Sequence, residues 1–193
     1  MKTEATLTCS CGTVSGRIQA ISTRYNNHLV CYCEDCQAFA RHLGADAKAL
    51  DANGGTEIMQ VTPQQIQIDK GADQLRCLRL SRKGPFRWYT NCCRTPVANT
   101  VSAGLPFAGV VAAFISSPHD DLGPVRYRIQ GQYAIDPPPD LEIDPAFPRL
   151  MTLRIVGQML LARIAGKHKP SPFFGEDGRP LSKPDIVNEA ESG

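Results

Sequence analysis

The sequence predicts a mainly β fold with one helix added near the C-terminus, on three observations. Short alternating or apolar segments, separated by Gly, Pro, Asn and Asp, recur through roughly the first 130 residues. Seven of the eight cysteines fall into three tight groups within that same stretch. Only beyond Pro137-Pro138-Pro139 does the apolar spacing change from that of strands to that of a helix.

With 193 residues, 42% hydrophobic and 21% charged, the chain has the composition of a folded protein and room for one sizeable core. Its 21 basic and 19 acidic residues leave a net charge of +2, so no global field draws it to nucleic acid. The longest apolar stretch, Leu105 to Ile115, contains Pro106 and two small-residue pairs and is too short to span a bilayer. Met1-Lys2-Thr3-Glu4-Ala5 opens without the apolar run of a secretory signal, so a cytoplasmic location is expected. In that reducing compartment the cysteines are expected to bind metal rather than to form disulfides.

Taken in order, Leu7, Cys9 and Cys11 alternate with Thr6, Thr8 and Ser10, and Val14 and Ile18 follow a turn at Gly12, which reads as a strand, a tight turn and a returning strand. Leu29-Val30 lead into Cys31-Tyr32-Cys33-Glu34-Asp35-Cys36, with a short helix expected from Gln37 to Leu43. Asp46 to Gly55 has loop composition and is expected to be exposed. Ile58–Val61, Ile66–Ile68, Leu75–Leu80, Phe86–Tyr89, Val110–Ile115 and Val125–Ile129 have the length of short antiparallel strands. The three prolines form a stiff connection dividing a β domain, 1–136, from an extension, 137–193.

In the extension, Leu150, Leu153, Gly157, Leu160 and Ile164 recur at helical spacing between Pro148 and Gly166, with Met159 and Leu161 widening the face. Arg149, Arg154, Arg163, Lys167 and Lys169 accompany them, with no acidic residue from Pro145 to Pro170. The expected arrangement packs the stripe onto the sheet with its charges outward. Contact with anionic lipid, a protein partner or a second copy is the alternative. Ser171 to Gly193 is expected to run over the surface.

The cysteine groups carry the chemistry. Cys9-x-Cys11 presents two thiolates to one side and supplies half of a tetrahedral zinc site. Cys92-Cys93 is the natural source of the other half, provided the chain turns there; without a turn Cys93 binds and Cys92 does not. Cys31, Cys33 and Cys36 are already local, so a metal there has three protein thiolates and a vacant position, the mark of a reactive site. Three thiolates suit a thiol ligand better than a hydrolytic water, because a coordinated thiol loses its proton at neutral pH. Cys77 sits alone in an alternating strand and reads as core.

The order Cys9-Ser10-Cys11-Gly12-Thr13-Val14, Cys31-Tyr32-Cys33-Glu34-Asp35-Cys36 and Cys93-Arg94-Thr95-Pro96 resembles the glutathione-dependent formaldehyde-activating enzyme family over residues 5 to 130. The resemblance implies a zinc-bound β-tent, a structural zinc at Cys9, Cys11 and Cys93, and a second, catalytic zinc at Cys31, Cys33 and Cys36. It also implies carbon–sulfur lyase chemistry on a small thiol such as glutathione. Where the family has CxxC-Gly-Thr, this chain has Thr90-Asn91-Cys92-Cys93-Arg94-Thr95, so the fourth structural ligand is assigned to Cys92, with Cys77 as the other candidate.

His28 and His42 flank the middle group but read as satisfied or solvated side chains. Arg41, and the crowd of Arg76, Arg79, Arg82, Lys83 and Arg87, are candidates for a substrate carboxylate and equally for solvated faces. A zinc-stabilised binding module without catalysis is the alternative to the enzyme.

Overall fold

In a computed structural model that describes residues 3–118 and 122–187, two β-sheets enclose the main core. The smaller sheet pairs β1 (Thr3–Thr8) with β2 (Ser15–Ile21) and β2 with β5 (Ile66–Lys70), all antiparallel. The larger contains β3 (Asn27–Cys31), β4 (Thr56–Val61), β6 (Leu75–Arg79), β7 (Phe86–Thr90), β8 (Pro96–Thr100), β9 (Ala108–Val111), β10 (Tyr127–Ile129) and β11 (Asp185–Ile186). Its strand order is β10-β3-β4-β9-β8-β7-β6-β11. Leu7, Val14 and Ile18 from one sheet meet Met59, Trp88, Val97 and Val110 from the other, with Phe114 between them. Alternation therefore works as expected on β1: Ala5 and Leu7 are buried and their neighbours are exposed.

The expected strands are present, with differences that have physical causes. The pairings are antiparallel except at the two edges, where β10 lies parallel to β3 and β11 parallel to β6. Strand β8 was not expected, because Pro96 reads as a breaker. It is the first residue of the strand, where a missing N–H is tolerated, and the register with β7 shifts between Trp88 and Tyr89. Val110–Ile115 is a strand only as far as Val111, after which Ala112–Phe114 forms a single tight helical turn.

Helix α1 (Glu34–His42) starts three residues earlier than its apolar pattern. The Asp46–Gly55 stretch is not an exposed loop. Helix α2 (Asp46–Ala49) opens it, and Ala49, Gly54 and Gly55 are buried. The Asp51 carboxylate ties the turn by accepting the N–H groups of Asn53 and Gly55 at 2.9 and 2.7 Å. A Cβ at Gly55 would lie 2.6 Å from Val30 Cγ1, which is why only glycine fits against β3.

The extension differs most from expectation. Helix α3 (Arg149–Ile164) forms where predicted, but its stripe does not face the sheet. Met151 and Ala162 are the buried positions, and Met151 and Ile155 pack on Leu29, Cys31, Ile58 and Ile129, leaving Leu150, Leu153, Leu160 and Ile164 exposed. Polar anchors set this rotation. Arg154 donates to Asn27 Oδ1 at 3.2 Å and to the Arg24 carbonyl at 2.7 Å. Gln158 accepts from Asn27 Nδ2 and donates to the Arg24 carbonyl, both at 3.0 Å. Turning the stripe inward would break all four bonds.

Nor does the tail simply run over the surface. Phe173 is fully buried with its ring 5.0 Å from that of Trp88, and Phe174 meets Phe86 and Trp88 edge-on at 5.3 and 5.8 Å. Strand β11 then closes one edge of the larger sheet; residues 188–193 of the expected surface tail lie outside the described residues.

Because Phe173 fills the centre of the main core, Phe173→Ala should lower unfolding stability by about 3–5 kcal/mol. Leu150→Ala, on the open face of α3, should lower it by less than about 0.5 kcal/mol. Urea denaturation followed by Trp88 fluorescence measures both, and equal effects would show that the tail is not part of the core.

Candidate functional site

Seven of the eight cysteines lie in two groups, and within each group every sulfur is within 4.8 Å of every other. The first unites Cys9, Cys11, Cys92 and Cys93. Its first half is the β1–β2 turn, where the N–H of Gly12 bonds the Cys9 carbonyl at 2.9 Å and the Val14 N–H points at Cys9 Sγ at 3.2 Å. Gly12 adopts φ +75°, which a side chain would disfavour. The second half is the β7–β8 turn. There the Arg94 N–H reaches back to the Thr90 carbonyl at 2.8 Å, the Thr90 N–H donates to the Thr95 carbonyl at 3.0 Å, and the Thr95 N–H donates to the Thr90 hydroxyl at 3.1 Å. The chain therefore turns where adjacent cysteines require it, and both Cys92 and Cys93 face the first pair.

Sulfur separations of 3.6 Å (Cys9–Cys11), 3.8 Å (Cys9–Cys92) and 3.8 Å (Cys92–Cys93) are far longer than a disulfide bond. Four sulfurs placed tetrahedrally about 2.3 Å from one centre would be about 3.8 Å apart, so the group could hold a metal ion. Hydroxyls surround it: Thr13 Oγ1 is 3.2 Å from Cys11, and Thr90 and Thr95 are 3.4 and 3.2 Å from Cys93. Burial opposes a thiolate at Cys93, but the Thr90 and Thr95 hydroxyls and Cys11 outweigh it and hold the group down at about 5. Cys92, although an exposed residue, is pushed up to about 12 by desolvation of its sulfur within the group and by sharing hydrogen bonds with Cys11, Cys93 and Cys9. Cys11 is lowered, first by the Thr13 hydroxyl and backbone.

Cys31 ends β3, Cys33 occupies the position before α1, and Cys36 is in its first turn, so strand and helix together fold the second group. The Cys36 and Gln37 N–H groups bond the Cys33 carbonyl at 3.0 and 3.2 Å. Cys31 and Cys36 are buried and Cys33 half-buried, and no fourth His, Cys, Asp or Glu joins them among the described residues. Negative charge concentrates on Cys36. Hydrogen bonds from Cys31 and Cys33 hold its thiol well below the usual range against burial, and the Arg87 guanidinium, 4.0 Å away, adds to this. Cys31 is correspondingly raised by those bonds and by burial. Cys33 is pushed up to about 11, since Cys36 and burial outweigh the favourable bond to Cys31. The N-terminus of α1 favours the same charge.

Arg87 is the feature hardest to see in the sequence. Among the basic residues of its hairpin it alone turns inward, 2% exposed, donating to Asp35 and Asn99 at 3.2 Å each and stacking over Phe39. Arg76 and Arg79 instead bond backbone carbonyls of their own hairpin. Cys77 is buried in the main core opposite Trp88, pushed up to about 12 by burial, and takes no part in either group. His28 points to the face of β3 opposite Cys31, with its ring nitrogens 2.7 Å from the Gly123 carbonyl and 2.6 Å from Glu57. His42 is exposed, and Arg41 reaches back one turn to Gln37.

Arg94 stands where the resemblance expects glycine, and its φ of +55° is the left-handed conformation that glycine adopts readily. Its guanidinium donates to the Leu43 and His42 carbonyls at 3.1 and 2.6 Å, capping the end of α1. Helix α1 thus begins at one cysteine group and ends on the turn of the other. Arg94→Ala keeps the strained backbone and loses both bonds, whereas Arg94→Gly relieves the strain. Arg94→Ala should therefore be the less stable of the two by about 1 kcal/mol, read from paired denaturation curves.

A search of curated proteins found no match to the chain. Among solved structures, a crystal structure of a Rhodobacter sphaeroides protein is similar at 18% identity with a TM-score of 0.42, covering 62% of this chain and 96% of that one. At that score the likeness carries no inference about architecture or activity. A family model described as a family of unknown function, DUF6151, matches residues 1–185. That match runs through both cysteine groups, α3 and the aromatic tail, and the chain belongs to the DUF6151 family.

Proposed function

We propose that the protein is a zinc-dependent carbon–sulfur lyase of the glutathione-dependent formaldehyde-activating type, acting on a small thiol adduct such as that of glutathione with an aldehyde. The structural zinc would be held by Cys9, Cys11, Cys92 and Cys93, and the reactive zinc by Cys31, Cys33 and Cys36. The observation that carries this reading is the unequal size of the two groups, four sulfurs against three. A closed four-thiolate set suits a structural ion, and a three-thiolate set leaves room for a ligand from outside. All-sulfur donors favour zinc or another soft ion over magnesium or calcium. Free thiols in such numbers fit a cytoplasmic, reducing setting.

Zinc bound at the trio would supply a Lewis acid at which a substrate thiol gives up its proton. The chain's own residues hold the charge and keep out water. Arg87 and the start of α1 favour negative sulfur, and Met151 and Ile155 roof the group with apolar side chains. In the cleavage direction the carbon–sulfur bond would break with its electron pair going to sulfur, while the adduct's hydroxyl would give its proton to solvent and become the aldehyde carbonyl.

A binding module whose metals only hold the fold is the second reading, and the burial of Cys31 and Cys36 beneath α3 favours it. Metal analysis of protein purified without chelators separates the two. The enzyme reading expects two zinc ions per chain, one of them exchangeable and sensitive to added glutathione. One tightly held ion indifferent to thiols would leave the module. Cys11→Ser should unfold the protein, while Cys33→Ser should leave it folded with one metal fewer; equal unfolding of both would remove the distinction between the groups.

A further inference from the structure

Nothing among the described residues covers the outer face of α3. Leu150 and Ile164 are 83% and 85% exposed, Leu153 and Leu161 69% each, and Leu160 61%. With Val156 they occupy an arc of roughly 140° of the helix circumference, opposite the arc of Met151, Ile155, Gln158 and Ala162 that meets the body. Phe147, also exposed, continues the face just before the helix. Surface leucines occur singly on most proteins, but a continuous row of them marks a contact.

The surrounding charge says with what. Arg149 and Arg163 lie on the helix and Lys167 just beyond it, and no acidic residue occurs from Pro145 to Pro170. Arg154 and Lys169 are occupied, donating to Asn27 and to the Arg24 and Glu176 carbonyls, while Arg163, exposed at the helix end, meets the half-buried His168 at Nε2, 3.4 Å away. The nearest preceding acids, Glu142 and Asp144, line a separate shallow cleft with Arg126 and Arg128. A second copy docked on this face would bring the same cations against one another with no acid in either helix.

We infer that α3 is an interfacial helix that docks the protein on an anionic lipid surface. Its leucine row enters the boundary between headgroups and acyl chains, and Arg149, Arg163 and Lys167 meet the phosphates. It lies in the plane of the membrane and does not cross it: 16 residues span about 24 Å, short of the hydrocarbon core, and no helix among the described residues is long and apolar enough to cross. The inference is independent of the metals and of the proposed chemistry.

Co-sedimentation of the full chain with vesicles tests it, comparing phosphatidylcholine alone with the same lipid containing about 30% phosphatidylserine. The protein should pellet with the anionic vesicles, less so as salt is raised. Leu153→Gln with Leu160→Gln should weaken binding by about a hundredfold or more, the lower end of what the loss of two buried leucines predicts. Arg163→Glu with Lys167→Glu should abolish the preference for phosphatidylserine. Circular dichroism should show both variants folded, since Leu153, Leu160, Arg163 and Lys167 are all exposed. Failure of the folded parent to pellet would overturn the inference. So would leucine variants that bind as the parent does, or a concentration-dependent dimer in ultracentrifugation that the leucine pair abolishes, which would give the face to a second copy.

Discussion

Two turns far apart in the chain must bring four sulfurs to one point, and the architecture follows from that requirement. Cys9 and Cys11 lie in the turn that joins β1 to β2 in the smaller sheet, while Cys92 and Cys93 join β7 to β8 in the larger. Their convergence pins the sheets together at one end, and the apolar layer of Leu7, Ile18, Met59 and Trp88 fills the space behind. A β-sandwich this irregular, with short strands and a three-stranded layer, has little ladder length to hold it. A metal ion held by the four sulfurs at the junction would take over part of the work that longer strands do elsewhere.

The larger sheet positions the second group by a different means. Cys31 ends a strand buried along its whole length, and Cys33 and Cys36 belong to the start of the helix that follows. Because helix α1 is capped at its far end by Arg94, the orientation of its first turn depends on the turn that carries Cys92 and Cys93. The two groups are separate clusters of ligands on one mechanical frame.

Much of this was legible in the sequence. Alternation located β1, β2 and most strands of the larger sheet, and cysteine spacing brought together Cys31, Cys33 and Cys36 without any knowledge of the fold. The pairing of Cys92 with the first group was conditional on a turn, and the backbone bonds between Thr90 and Arg94 supply it. What was not legible depends on tertiary contacts. Arg87 reads as one of several solvated arginines until Asp35, Asn99 and Phe39 surround it. The rotation of α3 was misjudged because helical periodicity finds an apolar stripe without saying which way it faces. Here Arg154 and Gln158, bonded to Asn27 and Arg24, decide the direction against the leucines. Phe173 and Phe174 were hidden in a segment whose Pro, Gly and charge content describes its ends and not its aromatic pair.

The two cysteine groups differ in their exposure to solvent. Cys11 and Cys92, in the cluster that joins the sheets, are exposed, while Cys31 and Cys36 lie sheltered under the roof of Met151. Peroxide or an alkylating reagent arriving from solvent would thus meet Cys11 and Cys92 before Cys31 and Cys36. Oxidative injury in this protein would therefore begin where the two sheets meet, and the sulfurs at the start of α1 would be reached later.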